Sequence, residues 1–142
     1  MLFRSELSID NYRDYLEIAD YYTPNKKEAL KITGADTPEK ALEVLAQFFE
    51  KPIVKLDKDG VLGLENGKTV FVKSIEEFKN VDSTGAGDAF LAGFCFGLYY
   101  DYPFEDCLLF GNITGGKCVT KAGALSAYVG KEELLRIAEE NR

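Results

Sequence analysis

The chain has 142 residues, with 17 basic and 24 acidic side chains and a net charge of −7; 46% of its residues are hydrophobic and none is histidine. This length suits one domain with a real core, and the acidic balance disfavours a nucleic-acid or anionic-membrane surface. Because histidine is absent, Ser-His and Cys-His nucleophile pairs and His-containing zinc sites are excluded.

Capping signals predict three helices in the first 50 residues, each opened by a side chain that can accept a hydrogen bond from the first turn. These predicted helices cover about residues 9–18 after Ser8, 26–32 after Asn25 and 38–50 after Thr37. Gly34 and Pro38 support two of the boundaries, since glycine ends helices and proline opens them. Residues 20–23 are predicted to form a short strand between the first two helices.

A β section follows these helices. The predicted strands are residues 52–56, 61–64 and 68–72, with a turn over residues 57–60. Asn66-Gly67 favours a type I′ hairpin between the last two strands. Three further helices are then predicted, one ending near Tyr100, one over about residues 103–120 and one over residues 131–140. This order indicates mixed α/β layers around one sheet.

The cysteines and the apolar runs indicate whether the chain is cytoplasmic, secreted or embedded in a membrane. Cys95, Cys107 and Cys118 form no CxxC pair, and their odd number predicts reduced, buried thiols. The longest uncharged stretch, residues 89–100, is well short of the roughly 20 residues that a membrane span requires. With no visible secretory signal, we expect a soluble, cytoplasmic protein.

The strongest chemical signal is the string Asp-Ser-Thr-Gly-Ala-Gly-Asp at residues 82–88, directly before an apolar helix. The amides of Gly85, Ala86 and Gly87 can converge at the positive end of the helix dipole, which suits a phosphate or a developing oxyanion. Asp88 follows them and can take a proton from an acceptor hydroxyl, a combination that indicates phosphoryl transfer. From the residues alone, the alternative is a glycine-rich helix start with an acidic first turn.

A second glycine-rich string requires a separate interpretation. Residues 111–118, Gly-Asn-Ile-Thr-Gly-Gly-Lys-Cys, nearly match a phosphate loop, but Cys118 stands where a Ser or Thr hydroxyl must bind Mg²⁺. A phosphate-loop NTPase that uses Lys117 is therefore a disfavoured alternative. The glycines are better explained if a helix passes close to a purine or to a neighbouring helix. Ala89, Gly93 and Gly97 likewise form a stripe of small residues for tight helix packing.

Residues 82–90, Asp-Ser-Thr-Gly-Ala-Gly-Asp-Ala-Phe, closely resemble the C-terminal signature of the ribokinase-like (PfkB) family of carbohydrate kinases. In that family the signature forms an anion hole and supplies a catalytic Asp, which implies catalytic roles for residues 85–88. Residues 25–28, Asn-Lys-Lys-Glu, look like the N-x-x-E motif associated with magnesium and phosphate positioning, which implies a Mg²⁺ site at Glu28 and Asn25. These two residues also fit a capping box, and both roles can hold because Mg²⁺ keeps its waters and needs few protein ligands.

The resemblance implies ATP as the phosphate donor and further contacts to the nucleotide. Residues 53–60 resemble the strand and turn that approach it, and residues 111–112 and 122–124 fall at the adenine-side helix and loop. The implied cofactor-binding residues are Asn25, Glu28, Lys55, Asp57, Gly60, Thr84, Asn112, Gly115 and Gly116. Family members often bind a monovalent cation near the anion hole, so K⁺ is a further expectation. Asp57 departs from the family, which usually has glycine there, and its carboxylate must point away from the phosphates.

The implied fold class is α/β, the C-terminal part of a ribokinase-like three-layer α/β/α fold. We expect a mainly parallel central sheet with a β-hairpin edge, in one partial domain over residues 1–142. The resemblance covers only the C-terminal half of the family pattern, so the N-terminal half and the lid are expected to be absent. The chain would then be a shortened form of a longer protein, a separately encoded half or a degenerate gene. Exposed edges and apolar faces predict a homo-oligomer or a need for the missing half.

The resemblance thus implies an ATP-dependent kinase that phosphorylates a hydroxyl of a small carbohydrate or a related alcohol. Asp88 would be the general base, and no nucleic-acid or membrane partner is expected. A different class remains open, in which the chain is a non-catalytic module that binds a nucleotide or supports oligomerisation. Nucleotide binding without phosphate transfer would favour that alternative.

Overall fold

A computed structural model of the protein describes residues 8–75, 86–118 and 130–142. Its helices and strands, in chain order, are α1 (Ile9–Ile18), α2 (Lys26–Thr33), α3 (Pro38–Leu45), β1 (Ile53–Lys55), a 3₁₀ turn (Asp57–Asp59), β2 (Gly60–Glu65), β3 (Lys68–Lys73), α4 (Ala86–Tyr99), α5 (Phe104–Cys118) and α6 (Lys131–Glu140). The chain divides into two compact units, one of Met1–Asp57 with Val61–Phe71 and one of Lys58–Gly60 with Val72–Arg142. The prediction of one domain stays a prediction.

The helices of the first unit begin at the predicted capping residues, and α2 also ends at its predicted glycine. The Ser8 side chain accepts a hydrogen bond from the Asn11 backbone N–H at 3.3 Å, and Thr37 accepts one from Lys40 at 3.2 Å. Helix α2 ends at Gly34, whose φ of 73° lies in the left-handed region that favours glycine. These local hydrogen bonds explain why the sequence alone places the helix starts correctly.

Two predicted elements of the first unit differ from the structure. Helix α3 ends at Leu45 rather than near residue 50, because the N–H groups of Gln47 and Phe48 bond to carbonyls three residues back and tighten the chain. Residues 20–23 form no strand; the nearby pairing is an isolated parallel bridge between Asn25 and Lys55. Pro24 accepts a bond from the Lys55 N–H at 2.8 Å but has no N–H with which to extend a ladder.

The described strands form one three-stranded sheet in the order β1-β2-β3. β1 pairs antiparallel with β2, with Ile53 opposite Gly63. Asn66 and Gly67 have φ values of 52° and 78°, both positive as a type I′ turn requires, so the predicted hairpin is confirmed. A mainly parallel central sheet is not seen among these strands and stays a prediction.

An apolar core fills the first unit, because each of its three helices turns one apolar face inward. The buried residues of this core are Leu16, Ala29, Ile32, Ala41, Leu42, Leu45, Phe49, Val54 and Leu62. A fully buried leucine, isoleucine or phenylalanine contributes about 1.5–3 kcal/mol relative to an exposed one, so this cluster supplies much of the unit's stability.

The second unit is built on helices α4 and α5, which approach so closely that backbone meets backbone. A Cβ atom added at Gly93 would lie 2.7 Å from the Phe110 carbonyl carbon, a separation that real Cβ atoms essentially never show. The predicted stripe of small residues is therefore confirmed at Gly93, and Gly97 makes the same kind of contact with Cys107. Helix α6 packs against α5, where Lys117 Nζ lies 3.1 Å from Glu133 Oε1.

The cysteines follow the prediction only in part. Cys107 is buried against α4, but Cys95 is exposed, so the prediction of a buried thiol is wrong there. The reason is helical periodicity, since position 95 lies on the side of α4 opposite Gly93 and Gly97. Within the described ranges, no helix combines the length and the apolar character needed to cross a membrane.

Candidate active site

The described part of the 82–88 motif is the first turn of helix α4. Ala86 is half-buried, whereas Gly87 and Asp88 are exposed. The first N–H groups of a helix have no intrahelical acceptor and carry the positive end of the dipole. These amides can therefore bind an anion from solvent. Thr84 and Gly85 lie outside the described residues, as does the 122–124 segment.

The Asp88 carboxylate lies in the first turn of α4 and is exposed to solvent rather than packed into the core. A negative side chain at this end of a helix is stabilised by about 0.3–1 kcal/mol when exposed. The same position leaves both carboxylate oxygens able to accept a proton from a bound hydroxyl. The first turn of α4 thus contains candidate anion-binding amides and a candidate base within three consecutive residues.

The first turn of α4 is supported from one side by α5. A Cβ atom at Gly115 would lie 3.3 Å from the Ala86 carbonyl oxygen, so the two backbones are close there. One residue earlier, the Thr114 hydroxyl donates to the Ala89 carbonyl at 2.5 Å. Sequence reasoning assigned Gly115 to nucleotide contact and did not single out Thr114, although a threonine inside a glycine-rich helix was a visible signal.

Residues 111–118 all lie within helix α5, which excludes the phosphate-loop alternative for this segment. A phosphate loop needs its glycines in a loop whose amides converge on the anion, whereas helical amides bond to their own carbonyls. A Cβ at Gly111 would lie 2.6 Å from the Phe90 ring, so the absence of a side chain at this position leaves room for a ring of the neighbouring helix α4. Gly116 is half-buried in the same helix, and Lys117 pairs with Glu133.

The chain requires glycine at position 60, the first residue of β2. Gly60 has a φ of 121°, and a Cβ there would lie 3.0 Å from Lys73 Cα and nearer still to the Val72 carbonyl oxygen. The Ser74 hydroxyl donates to the Lys58 carbonyl and closes the turn against the end of β3. Asp57 is exposed with a φ of 53°, a left-handed conformation that glycine adopts more easily.

Asn112 joins helix α5 to the end of β3. Its side-chain Nδ2 donates to the carbonyls of Val72 at 2.9 Å and Lys73 at 3.2 Å. The same backbone segment packs against Gly60, so Asn112 and Gly60 support one corner of the second unit. The structure therefore gives the Asn112 amide group a structural role, and its contact with adenosine stays a prediction.

Asn25 and Glu28 form a capping box at the start of α2, in the first unit. Asn25 Oδ1 accepts from the Glu28 N–H at 2.8 Å, and Glu28 Oε1 accepts from the Asn25 N–H at 3.1 Å. The Glu28 side chain is exposed, so its second carboxylate oxygen can bind a water of a Mg²⁺ ion, and the residues fit that group. Across the described residues no cluster of three or more carboxylate or thiol groups gathers for a metal.

Tyr22 lies close to this capping box. Burial, the negative charge of Glu28 and, to a smaller extent, Tyr12 together raise the pKa of the Tyr22 hydroxyl to about 12. Its ring packs against Phe49, with ring centroids 6.0 Å apart. Tyr22 therefore stays protonated at neutral pH, and its hydroxyl is neutral beside Glu28.

The chain belongs to the pfkB family of carbohydrate kinases, whose family model matches residues 2–129. This confirms the resemblance carried by residues 82–90. The solved structures with a similar fold are ribokinase-like kinases, so the α/β class is confirmed as well.

Three relatives place the chain within that family. The ribokinase of Haemophilus influenzae is 30% identical over 132 residues, covering 89% of this chain and 43% of that protein. The cytidine kinase of Thermococcus kodakarensis is 33% identical over 128 residues, covering 84% and 44%. The structure of Arabidopsis thaliana ribokinase complexed with ribose and ATP is 27% identical with a TM-score of 0.76, covering 87% of this chain and 42% of that one. The chain spans less than half the length of these relatives.

Proposed function

We propose that the chain carries the nucleotide-binding and catalytic-base part of an ATP-dependent kinase that phosphorylates a hydroxyl of a sugar-like molecule. The observation that carries the proposal is the exposed Asp88 in the first turn of α4, directly after Ala86 and Gly87, whose backbone N–H groups have no acceptor within the helix. Membership of the pfkB family supports the reaction class. The ATP and ribose held by the Arabidopsis ribokinase support the same donor and a related acceptor here.

In the proposed reaction, Asp88 accepts the proton of the acceptor hydroxyl while the hydroxyl oxygen attacks the γ-phosphorus of ATP. A bond forms between the acceptor oxygen and phosphorus, the bond to the bridging oxygen breaks, and ADP leaves. The first-turn amides of α4, with Gly85 before them, stabilise the negative charge on the transferring group. A general base of this kind contributes about 10²–10⁴-fold to the rate, and the anion site adds to it.

Glu28 and Asn25 would hold the waters of a Mg²⁺ ion at the start of α2. When bound, the ion neutralises phosphate charge. The turn at Gly60, with Lys55 and Asp57 before it, and the α5 residues Asn112, Gly115 and Gly116 are proposed for the nucleotide side, together with Thr84. A monovalent cation such as K⁺ near the anion hole belongs to the same proposal, as does assembly into a homo-oligomer or with a separate N-terminal half.

The test combines a charge-neutral base variant with a matched control. Purified chain is incubated with MgATP and ribose, fructose, cytidine or adenosine, and the phosphorylated product is detected by ³¹P NMR. Asp88→Asn is expected to lower turnover by about 10²–10⁴-fold. Glu105→Gln removes an exposed acid from the first turn of α5 and should cost the same small helix-dipole energy, about 0.3–1 kcal/mol, without affecting turnover.

Two results would contradict the proposal. Equal turnover in Asp88→Asn and Glu105→Gln would remove Asp88 as the base. MgATP binding without transfer to any acceptor, with or without an added N-terminal half of a related kinase, would favour the non-catalytic nucleotide-binding module.

A further inference from the structure

The hydroxyl of Thr114 lies at the junction of α4 and α5, near three backbone carbonyls. Its Oγ1 is 2.5 Å from the Ala89 oxygen, 3.0 Å from the Phe110 oxygen and 3.2 Å from the Gly111 oxygen. A threonine hydroxyl has one proton and can donate to only one of them at a time. The shortest distance identifies the Ala89 carbonyl, on the other helix, as its main acceptor.

The other two carbonyls belong to the same helix as Thr114, whereas the Ala89 carbonyl belongs to α4. Phe110 and Gly111 lie four and three residues before Thr114 in its own helix, and helical threonines commonly reach such carbonyls. The bond to Ala89 instead crosses between helices and ends on the residue that follows Asp88 in the chain. It therefore fixes the backbone that carries the proposed catalytic base.

The local packing is arranged around this hydroxyl. A Cβ at Gly93 would collide with Thr114 Oγ1, so the bare glycine provides the space that the hydroxyl fills. On the next residue of α5, Gly115 brings its backbone against the Ala86 carbonyl. Two successive residues of α5 thus contact both ends of the first turn of α4, while Asp88 itself stays exposed.

We propose that Thr114 is a positioning residue, whose hydroxyl holds the first turn of α4 so that Asp88 and the neighbouring amides keep the orientation that phosphoryl transfer needs. This inference rests on the proposed role of Asp88. It differs from a purely structural role, in which any contact of equal strength between α4 and α5 would serve as well.

The experiment compares Thr114→Val, which keeps the volume and removes the hydroxyl, with Thr114→Ser, which keeps the hydroxyl. Cys107→Ala is the matched control. The Cys107 Sγ donates to the Tyr102 carbonyl at 3.5 Å, and Cys107 contacts Gly97 at the far end of the same helix pair. Two-dimensional ¹H–¹⁵N NMR follows the Gly87 and Asp88 amides, and calorimetry measures MgATP affinity for each variant. Thr114→Ala replaces the valine variant if that one does not fold.

Thr114→Val is expected to shift the Gly87 and Asp88 signals and to weaken MgATP binding by about fivefold, the size of one lost hydrogen bond. Thr114→Ser should restore both, and Cys107→Ala should lower the melting temperature without affecting either. The proposal is overturned if Thr114→Val acts only on melting temperature, as Cys107→Ala does, or if serine fails to restore the signals. If the wild-type chain does not bind MgATP, the nucleotide role fails, whereas the NMR comparison still decides whether Thr114 positions Asp88.

Discussion

Substituting Gly93 with alanine tests the close packing of α4 against α5, because two opposed effects compete at this position. Alanine in a helix interior is favoured over glycine by about 1 kcal/mol. Against this gain, the added Cβ would lie 2.7 Å from the Phe110 carbonyl carbon and closer still to its oxygen and to the Thr114 hydroxyl. The Phe110 atoms belong to the backbone and cannot swing aside. The helices must therefore separate by more than half an ångström to restore ordinary contact.

This separation carries a calculable cost. Overpacking of a buried site typically costs about 1–3 kcal/mol. Losing the bond from the Thr114 hydroxyl to the Ala89 carbonyl adds about 1 kcal/mol. The two costs exceed the propensity gain, so we expect a net loss of about 2 kcal/mol and a melting temperature lower by about 6 °C.

Gly115→Ala is the matched control in the same interface. Its Cβ would lie 3.3 Å from the Ala86 oxygen and 3.5 Å from Phe90 Cβ, which a shift of a few tenths of an ångström relieves. The propensity gain should then nearly cancel the strain, and stability should stay within about 0.5 kcal/mol of wild type. Urea and thermal unfolding followed by circular dichroism measure both variants. A Gly93→Ala variant as stable as Gly115→Ala would refute the close approach of the two helices.

Two further predictions concern the turn at Gly60 and the buried Tyr22. Gly60→Ala should destabilise the chain by about 3 kcal/mol or more in urea unfolding, because strain at a positive φ adds to a collision with β3. Gly67→Ala, with a φ of 78° and nothing within 4 Å of the added Cβ, should cost only about 1 kcal/mol, and equal losses would contradict the reasoning. Because burial raises the pKa of Tyr22 to about 12, the stability from its neutral hydroxyl is present below pH 10 and lost as pH rises towards 12. Tyr22→Phe should therefore move the midpoint of alkaline unfolding upwards, and an unchanged midpoint would exclude this cause.

The sequence determined the local structure because its signals act within a few residues. Ser8, Asn25 and Thr37 cap their helices through bonds to N–H groups three residues ahead, which a reader of the sequence can see directly. The Asn66-Gly67 pair fixes the hairpin by its backbone conformation in the same way. The 82–88 motif likewise identified a helix start with Asp88 in its first turn, and with it the kinase family.

Only the tertiary structure decided which of the glycine-rich segments are packing surfaces. The sequence predicts that residues 111–118 are helical, but only their packing shows that Gly111 and Gly115 face α4. Asn112 and Thr114 bond to carbonyls 40 and 25 residues away, and nothing near them in the chain specifies those partners. The exposure of Cys95 depends in the same way on which face of α4 meets α5. Helix caps and turns depend on residues that are neighbours in the chain. The hydrogen bond from Thr114 to the backbone next to Asp88, in contrast, forms only once α4 and α5 have packed together.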